Sequence, residues 1–266
     1  IAAGLAFVLS YNLNQNGHVY LPQEKLIPAA LKLLGCTEAE AEDELARQVM
    51  LKKLRMAKIN GRSCIYLPEA FEAEKYICAK MDALEMTDHL SDVDNLNFLI
   101  EKAELENGIR YESLQKKAIM EAVKNSVFVL TGGPGTGKTT VVHALLHIFR
   151  SMDLTVALCA PTGRAAKRLS ESTSTEAKTI HRLLEMEFEE GGGRGHFRRC
   201  EQDLLEESVI IVDEASMVDG ALMCSLCKAI KPGAHLILIG DADQLPSVGA
   251  GRIMGDLIDS GRFATV

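Results

Sequence analysis

The sequence predicts an α/β domain built on a parallel sheet and preceded by a small, mostly helical module. Three observations carry that reading. Four short apolar runs, Val127-Phe128-Val129-Leu130, Thr155-Val156-Ala157-Leu158-Cys159, Val209-Ile210-Ile211-Val212 and Leu236-Ile237-Leu238-Ile239, lack the alternation of a half-exposed strand and suit strands buried on both faces. Helical stretches at 139–151, 164–170 and 218–230 separate these runs, and strands alternating with helices form a doubly wound sheet. Ahead of the first run, residues 1–87 carry helix and turn signals instead.

In that leading module, Ala2 to Asn14 and Gln23 to Leu34 have apolar residues at helical spacing, with Gly17 and Gly35 as stops. Thr37 followed by Glu40 is a capping box that opens a helix through about Met50. The segments Leu54–Ile59 and Ser63–Leu67 flank Asn60-Gly61, a strong hairpin signal. Helix, helix and hairpin together resemble a winged-helix arrangement. Lys52, Lys53, Arg55, Lys58 and Arg62 fit either a nucleic-acid docking surface or the solvated face of a structural accessory domain. Pro68 to Glu85 reads as a helix, 88–94 as an acidic linker, and Asp94 to Asn107 as a further helix ending near Gly108. The expected domains are therefore 1–87, a connecting linker and helix at 88–110, and the α/β domain from 111 to 266. The run Glu190-Gly191-Gly192-Gly193-Arg194-Gly195 is too rich in glycine for an element and reads as a mobile loop.

Composition narrows the class. At 47% apolar and 25% charged residues the chain has the make-up of a soluble globular protein. No apolar run approaches the ~20 residues that span a bilayer. Ile1 to Leu9 lacks the basic start and the small-residue cleavage site of a secretory signal. With no initiator Met and an abrupt end at Ala264-Thr265-Val266, the chain reads as part of something longer. Seven scattered cysteines point to a reducing, cytoplasmic setting. Cys224 and Cys227 form a CxxC without a second pair, so they read as small apolar residues on a helix. The net charge of −8 excludes a broadly basic surface, but not a local strip of Lys and Arg.

Chemistry concentrates in three places. Gly132-Gly133-Pro134-Gly135-Thr136-Gly137-Lys138-Thr139 is a Walker A loop lying between a strand and a helix. Its glycines let backbone N–H groups close on phosphate oxygens, and the helix N-terminus adds its positive end. Lys138 is expected to reach the β- and γ-phosphates of ATP, and the Thr139 hydroxyl to ligate Mg²⁺. Asp213 and Glu214 follow a buried run, at the strand end where ligands of open α/β sheets bind. Asp213 is then a second Mg²⁺ residue and Glu214 the base that activates water; a helix cap is the plainer alternative for such acids. Gln244, after the fourth run, could sense the γ-phosphate. His143 and His147 lie four apart, but no Glu follows His143, so they read as packing or surface residues rather than metal ligands.

Gly132 to Thr140, Ala160-Pro161-Thr162-Gly163-Arg164-Ala165-Ala166, Thr179 to Leu184, Asp213-Glu214-Ala215-Ser216-Met217-Val218-Asp219 and Gly240 to Gly251 occur in that order. The series resembles the motifs of RecD-like superfamily 1 DNA helicases, closely over about residues 108–266 and more loosely before. That resemblance implies a RecA-like motor domain moving 5′ to 3′ on single-stranded DNA, with exodeoxyribonuclease V alpha-like subunits among its kin. It implies adenine recognition by Gln115 and nucleotide contacts from Gly133, Pro134, Gly135, Thr136, Gly137, Lys138, Thr139 and Thr140. It also implies a DNA path along Pro161, Thr162, Gly163, Arg164 and His181, and a link from γ-phosphate to DNA through Gln244. Arg164, Lys167 and Arg168 fit DNA contact or a solvated helix face. The family's second motor domain, with its arginines, is not in these residues, so slow hydrolysis is expected of them alone. Expected partners are single-stranded DNA and duplex junctions, with protein partners in recombination or repair. Two other readings are the motor portion of a relaxase-helicase or recombination-complex subunit, and a DNA-docking ATPase switch.

Overall fold

The computed structural model describes residues 1–87, 95–188, 195–244, 247 and 249–266. The expected acidic linker at 88–94 and all but Gly195 of the glycine-rich loop lie outside the described residues. The chain forms two compact units. The first takes Ile1–Ile77 with Asp219–Cys224 and Ser247–Gly251, and the second takes the remainder.

The first unit contains α1 (Ala2–Asn16), β1 (Tyr20–Pro22), α2 (Gln23–Leu31), α3 (Glu38–Met50), β2 (Arg55–Ile59), β3 (Arg62–Tyr66) and the opening of α4 (Pro68–Glu85). Gly17 ends α1 at φ 70°, its N–H bonded to the Asn12 carbonyl. The capping box forms as its spacing predicts: Glu40 N–H donates to Thr37 Oγ1, and Thr37 N–H to Glu40 Oε2 at 2.8 Å. Asn60 and Gly61 take φ 50° and 78°, the two left-handed residues that a tight hairpin turn needs. Strand β1 has no counterpart in the sequence reading. It pairs antiparallel with β3, Leu21 opposite Ile65, to give the order β1-β3-β2. Helix, strand, two helices and a hairpin pack around a core of Leu5, Leu26, Leu45 and Ile65. Helix α2 stops at Leu31 rather than Leu34. The chain turns there to lay Leu34 on Gly4, where a Cβ would lie 2.6–2.9 Å from the leucine carbons.

The second unit runs through α5 (Leu96–Asn107), α6 (Ser113–Lys124), β4 (Val127–Thr131), α7 (Lys138–Ser151), β5 (Val156–Ala160), α8 (Gly163–Thr173), β6 (Ala177–Thr179), α9 (Ile180–Leu183), β7 (Met186–Glu187), β8 (His196–Phe197) and β9 (Val209–Val212). It ends with α10 (Gly220–Ala229, its first turn grouped with the other unit), β10 (His235–Gly240), α11 (Ile253–Ser260) and β11 (Ala264–Thr265). Six parallel strands stand in the order β11-β4-β10-β9-β5-β6. Every residue of β9 and β10 is buried, as expected of strands covered on both faces. Phe128, Ile211 and Ile237 of the sheet pack with Val141, Leu145 and Phe149 of α7. The edge strands β6 and β11 are too short to announce themselves in sequence. Helix α10 starts at Gly220, not Val218: a 3-10 turn over Ala215–Met217 intervenes, and Asp219 Oδ1 caps the helix by accepting from Leu222 N–H at 2.8 Å.

Candidate nucleotide site

Sheet register decides where the sequence motifs meet. Thr131, the last residue of β4, lies opposite Gly240, the last of β10. Val212, ending β9, lies opposite Leu238 on one side and Cys159 on the other. Four strands thus finish near one level, and each is followed by a motif: Gly132–Thr139 after β4, Pro161–Arg164 after β5, Asp213-Glu214 after β9 and Asp241–Gln244 after β10. This is the carboxyl edge at which open α/β sheets receive ligands.

The loop after β4 is tied down on both sides. Gly132 N–H donates to the Gly240 carbonyl at 3.2 Å. Thr136 Oγ1 donates to the Gly133 carbonyl at 2.9 Å. Gly135 and Gly137 take φ 78° and 86°, conformations that glycine adopts without a steric cost. Lys138 opens α7, and its Nζ donates to the carbonyls of Gly132 and Gly133. The ammonium is therefore held over the loop whose N–H groups would cradle a phosphate. Thr139, on the first turn of α7, is exposed, and Thr140 follows it half-buried.

Beside the loop is a cavity of about 240 Å³ lined by Gln115, Ala118, Leu130, Lys138, Val141 and Val266 among others. Gln115 sits in the first turn of α6, where its Oε1 accepts from Glu112 N–H at 2.9 Å. Its amide nitrogen lies directly against Gly137, occupying the position a Cβ would take. An apolar recess with one amide at its rim and a phosphate loop at its mouth matches the shape of a base next to a triphosphate.

Burial raises the Asp213 carboxyl above the ordinary range, while the Glu214 backbone N–H and the charges of Lys138 and Arg168 act to lower it. A cation bound there would complete that compensation. Glu214 takes the left-handed φ of 52°, a conformation that L-residues adopt only where the surroundings impose it. Beyond it, Ser216 Oγ is buried with no hydrogen-bond partner among the described residues. Buried Asp241 holds the next turn: its Oδ1 accepts from Asp243 N–H at 3.1 Å and its carbonyl from Gln244 N–H at 3.2 Å, leaving the Gln244 side chain exposed. A carboxylate, a hydroxyl on the loop helix and an unpaired buried hydroxyl are hard oxygen donors of the kind that Mg²⁺ takes.

The remaining expected residues fall on neighbouring elements. Pro161 and Thr162 are half-buried, Gly163 and Arg164 exposed. Thr162 Oγ1 is committed to capping α8, accepting from Ala165 N–H at 3.2 Å. Exposed Lys167 lies 3.8 Å from Glu171. His181, on α9, packs its ring on Phe197 at 5.7 Å. His143 Nε2 is 2.6 Å from the Ser172 carbonyl and His147 Nε2 3.2 Å from Glu106, and no metal-holding cluster occurs among the described residues. Cys224 and Cys227 are buried. Sequence reasoning assigned no role to Gly240, Asp241 or Ser216. Their burial and packing depend on distant strands, so only an Asp two residues before another turn residue hinted at one of them.

A family profile described as "AAA domain" matches residues 115–250, the stretch from the cavity glutamine through the turn after β10. The chain belongs to this AAA domain family, and RecD-like helicases are among its relatives. The ATP-dependent RecD2 DNA helicase of Deinococcus radiodurans is 35% identical over 260 residues, covering 94% of this chain and 35% of that protein. The RecBCD enzyme subunit RecD of Mycobacterium tuberculosis is 39% identical over 219 residues, covering 73% and 36%. A solved Pif1 helicase from Candida albicans aligns at a TM-score of 0.42 and 21% identity over 59% of this chain and 39% of that one. The chain spans about a third of the length of the curated relatives it matches. No helix among the described residues is long and apolar enough to cross a membrane.

Proposed function

We propose that this chain is part of an ATP-driven DNA helicase that moves 5′ to 3′ on single-stranded DNA, with residues 1–87 as an accessory domain, 88–110 as linker and helix, and 111–266 as its first motor domain. The observation that carries the reading is the common level of the β4, β5, β9 and β10 ends, each followed by a helicase motif.

Gln115 and the recess beside it take the adenine. Backbone N–H groups of 133–139 take the phosphates, and Lys138 exchanges its two carbonyl partners for phosphate oxygens. Thr139 and Asp213 hold Mg²⁺, which supplies charge neutralisation on the β- and γ-phosphates. Glu214 draws the proton from the attacking water. Gln244, at the exposed end of its turn, passes the state of the γ-phosphate to the DNA path over Pro161–Arg164 and His181. The half-buried carboxyl at 213 and the exposed amide at 244 suit those two tasks.

A second reading, the motor part of a recombination-complex subunit, is supported by the RecBCD subunit among the relatives. It keeps the same site chemistry and adds protein partners. Seven scattered cysteines support a cytoplasmic setting for either. Strand displacement by the full-length protein on 5′-tailed and 3′-tailed duplexes tests the assignment. Displacement from 5′ tails, dependent on hydrolysable ATP, is expected; displacement only from 3′ tails overturns the polarity, and none on either overturns the motor.

A further inference from the structure

The small sheet of the first unit has one open edge. Its strands stand in the order β1-β3-β2, so β2 has a neighbour on one side only. The tight turn at Asn60-Gly61 makes Ile59 and Arg62 the first hydrogen-bonded pair, and the register continues the exchange at Ala57 with Cys64 and Arg55 with Tyr66. The backbone N–H and C=O groups of Met56 and Lys58 therefore point away from β3. Pro22 of β1 fits the same parity: it has no N–H to give, and it lies opposite Cys64, whose backbone groups are turned toward β2. The outward groups of Met56 and Lys58 have no hydrogen-bond partner among the described residues, and both side chains are exposed.

Charge and apolar surface gather on this edge. No acidic residue occurs between Glu44 and Glu69. Lys52, Lys53 and Lys58 are exposed and form no ion pair among the described residues, whereas Arg55 lies 3.1 Å from Glu72 and Arg62 lies 3.7 Å from Glu24. Met50, Leu51 and Met56 are 79%, 47% and 40% exposed. The turn out of α3 places the first two just ahead of β2, with Lys53 and Leu54 N–H both donating to the Gln48 carbonyl. An open edge flanked by apolar side chains is a template for another strand.

We propose that β2 is a docking edge for an extended acidic segment of a partner protein, which adds as a fourth strand. Its backbone pairs with Met56 and Lys58, its carboxylates meet Lys52, Lys53 and Lys58, and its apolar side chains cover Met50, Leu51 and Met56. A second copy of this chain fits poorly, because β2 against β2 sets lysine against lysine. A nucleic-acid backbone also fits less well: two of the five hairpin cations already hold carboxylates, and phosphates would leave the methionines in water. The surface lies outside the proposed nucleotide site, and the inference does not depend on the helicase reading.

The test is fluorescence anisotropy of a labelled octapeptide, Asp-Leu-Asp-Val-Val-Asp-Leu-Asp, titrated with the full-length protein. Saturable binding is expected. Met56→Pro deletes one outward N–H and spares the bonds to β3, and is expected to weaken binding by about tenfold. Lys52→Glu combined with Lys53→Glu is expected to weaken it by at least as much. Thermal melts verify that the variants fold. The same peptide N-methylated at its backbone amides keeps every side chain but loses its strand donors, so it asks the question of the wild-type protein should Met56→Pro not fold; it is expected not to bind. No saturable binding, equal binding of the N-methylated peptide, or wild-type affinity in a folded Met56→Pro each overturns the proposal. Displacement of the peptide by single-stranded oligothymidine, whose own binding is lost in Lys58→Glu, assigns the edge to nucleic acid and overturns it as well.

Discussion

Gly240 is the residue through which the packing of the sheet most directly sets the chemistry. It ends β10, and its φ is unremarkable for any amino acid, so the need for glycine is one of space. A Cβ there would lie 3.1 Å from Ser216 N, 3.3 Å from Ala215 N and 2.7 Å from Met254 Sδ. Met254 is 2% exposed and has little room to retreat, and the two nitrogens are backbone. Gly240→Ala therefore pushes the turn after Glu214 away from β10 by a few tenths of an ångström. Overpacking of this kind costs about 1–3 kcal/mol, and for a domain of this size that lowers the melting temperature by about 2–12 °C. The same shift moves Asp213 and Glu214 relative to the loop anchored on the Gly240 carbonyl. At about a hundredfold per ångström, turnover falls by roughly tenfold. Thermal melts and steady-state Mg-ATP hydrolysis of the full-length variant read both effects. A protein that melts with the wild type and hydrolyses ATP at its rate would refute the packing argument.

Two further outcomes follow from the site. Lys138→Ala is expected to abolish turnover and to lower the melting temperature by about 4–8 °C, since the half-buried side chain contributes two hydrogen bonds worth about 1 kcal/mol each; melts and ATPase assays check it. For Asp213, burial holds the folded carboxyl above its unfolded pKa. As pH rises from the ordinary carboxylate range, the unfolded chain loses its proton first, and the ionised group then costs native stability. Asp213→Asn should therefore melt above the wild type at neutral pH, with the difference vanishing below the ordinary aspartate pKa, while hydrolysis is lost. A pH series of melts showing a constant or inverted difference rules that out.

What the sequence revealed was whatever is encoded within a few residues. Asn60-Gly61, the Thr37–Glu40 box and the loop at 132–139 each carry their own geometry, because turn, cap and phosphate loop are local hydrogen-bonding problems. The four central strands were legible because burial on both faces removes alternation. Strands β1, β6 and β11 were not: with two or three residues each, they exist only because a longer neighbour offers unpaired backbone groups. Thr162 illustrates a different limit. Its motif suggested a contact to DNA; the structure shows its oxygen accepting from Ala165 N–H to cap α8, a bond that leaves its O–H able to donate. Gly240 was hidden for the opposite reason from the short strands. Its constraint comes from atoms far away in sequence, and a glycine by itself carries no mark of it.

Gln115 joins these two kinds of information. Its spacing from Glu112 made a reciprocal cap at the start of α6, a local fact, and its resemblance to an adenine-recognising glutamine was a family one. The structure adds that the amide nitrogen rests where a Gly137 side chain would be. Oε1 already accepts one bond from Glu112, and a carbonyl-type oxygen has two lone pairs. It can thus still accept from the exocyclic amine of adenine while Nε2 donates to a ring nitrogen. Guanine presents an oxygen where adenine presents that amine, and would set it against Oε1. In the proposed role Gln115 therefore reads the base and buttresses the phosphate loop with one side chain, which makes Gly137 constrained twice: once by its φ of 86°, and once by the amide it must leave room for.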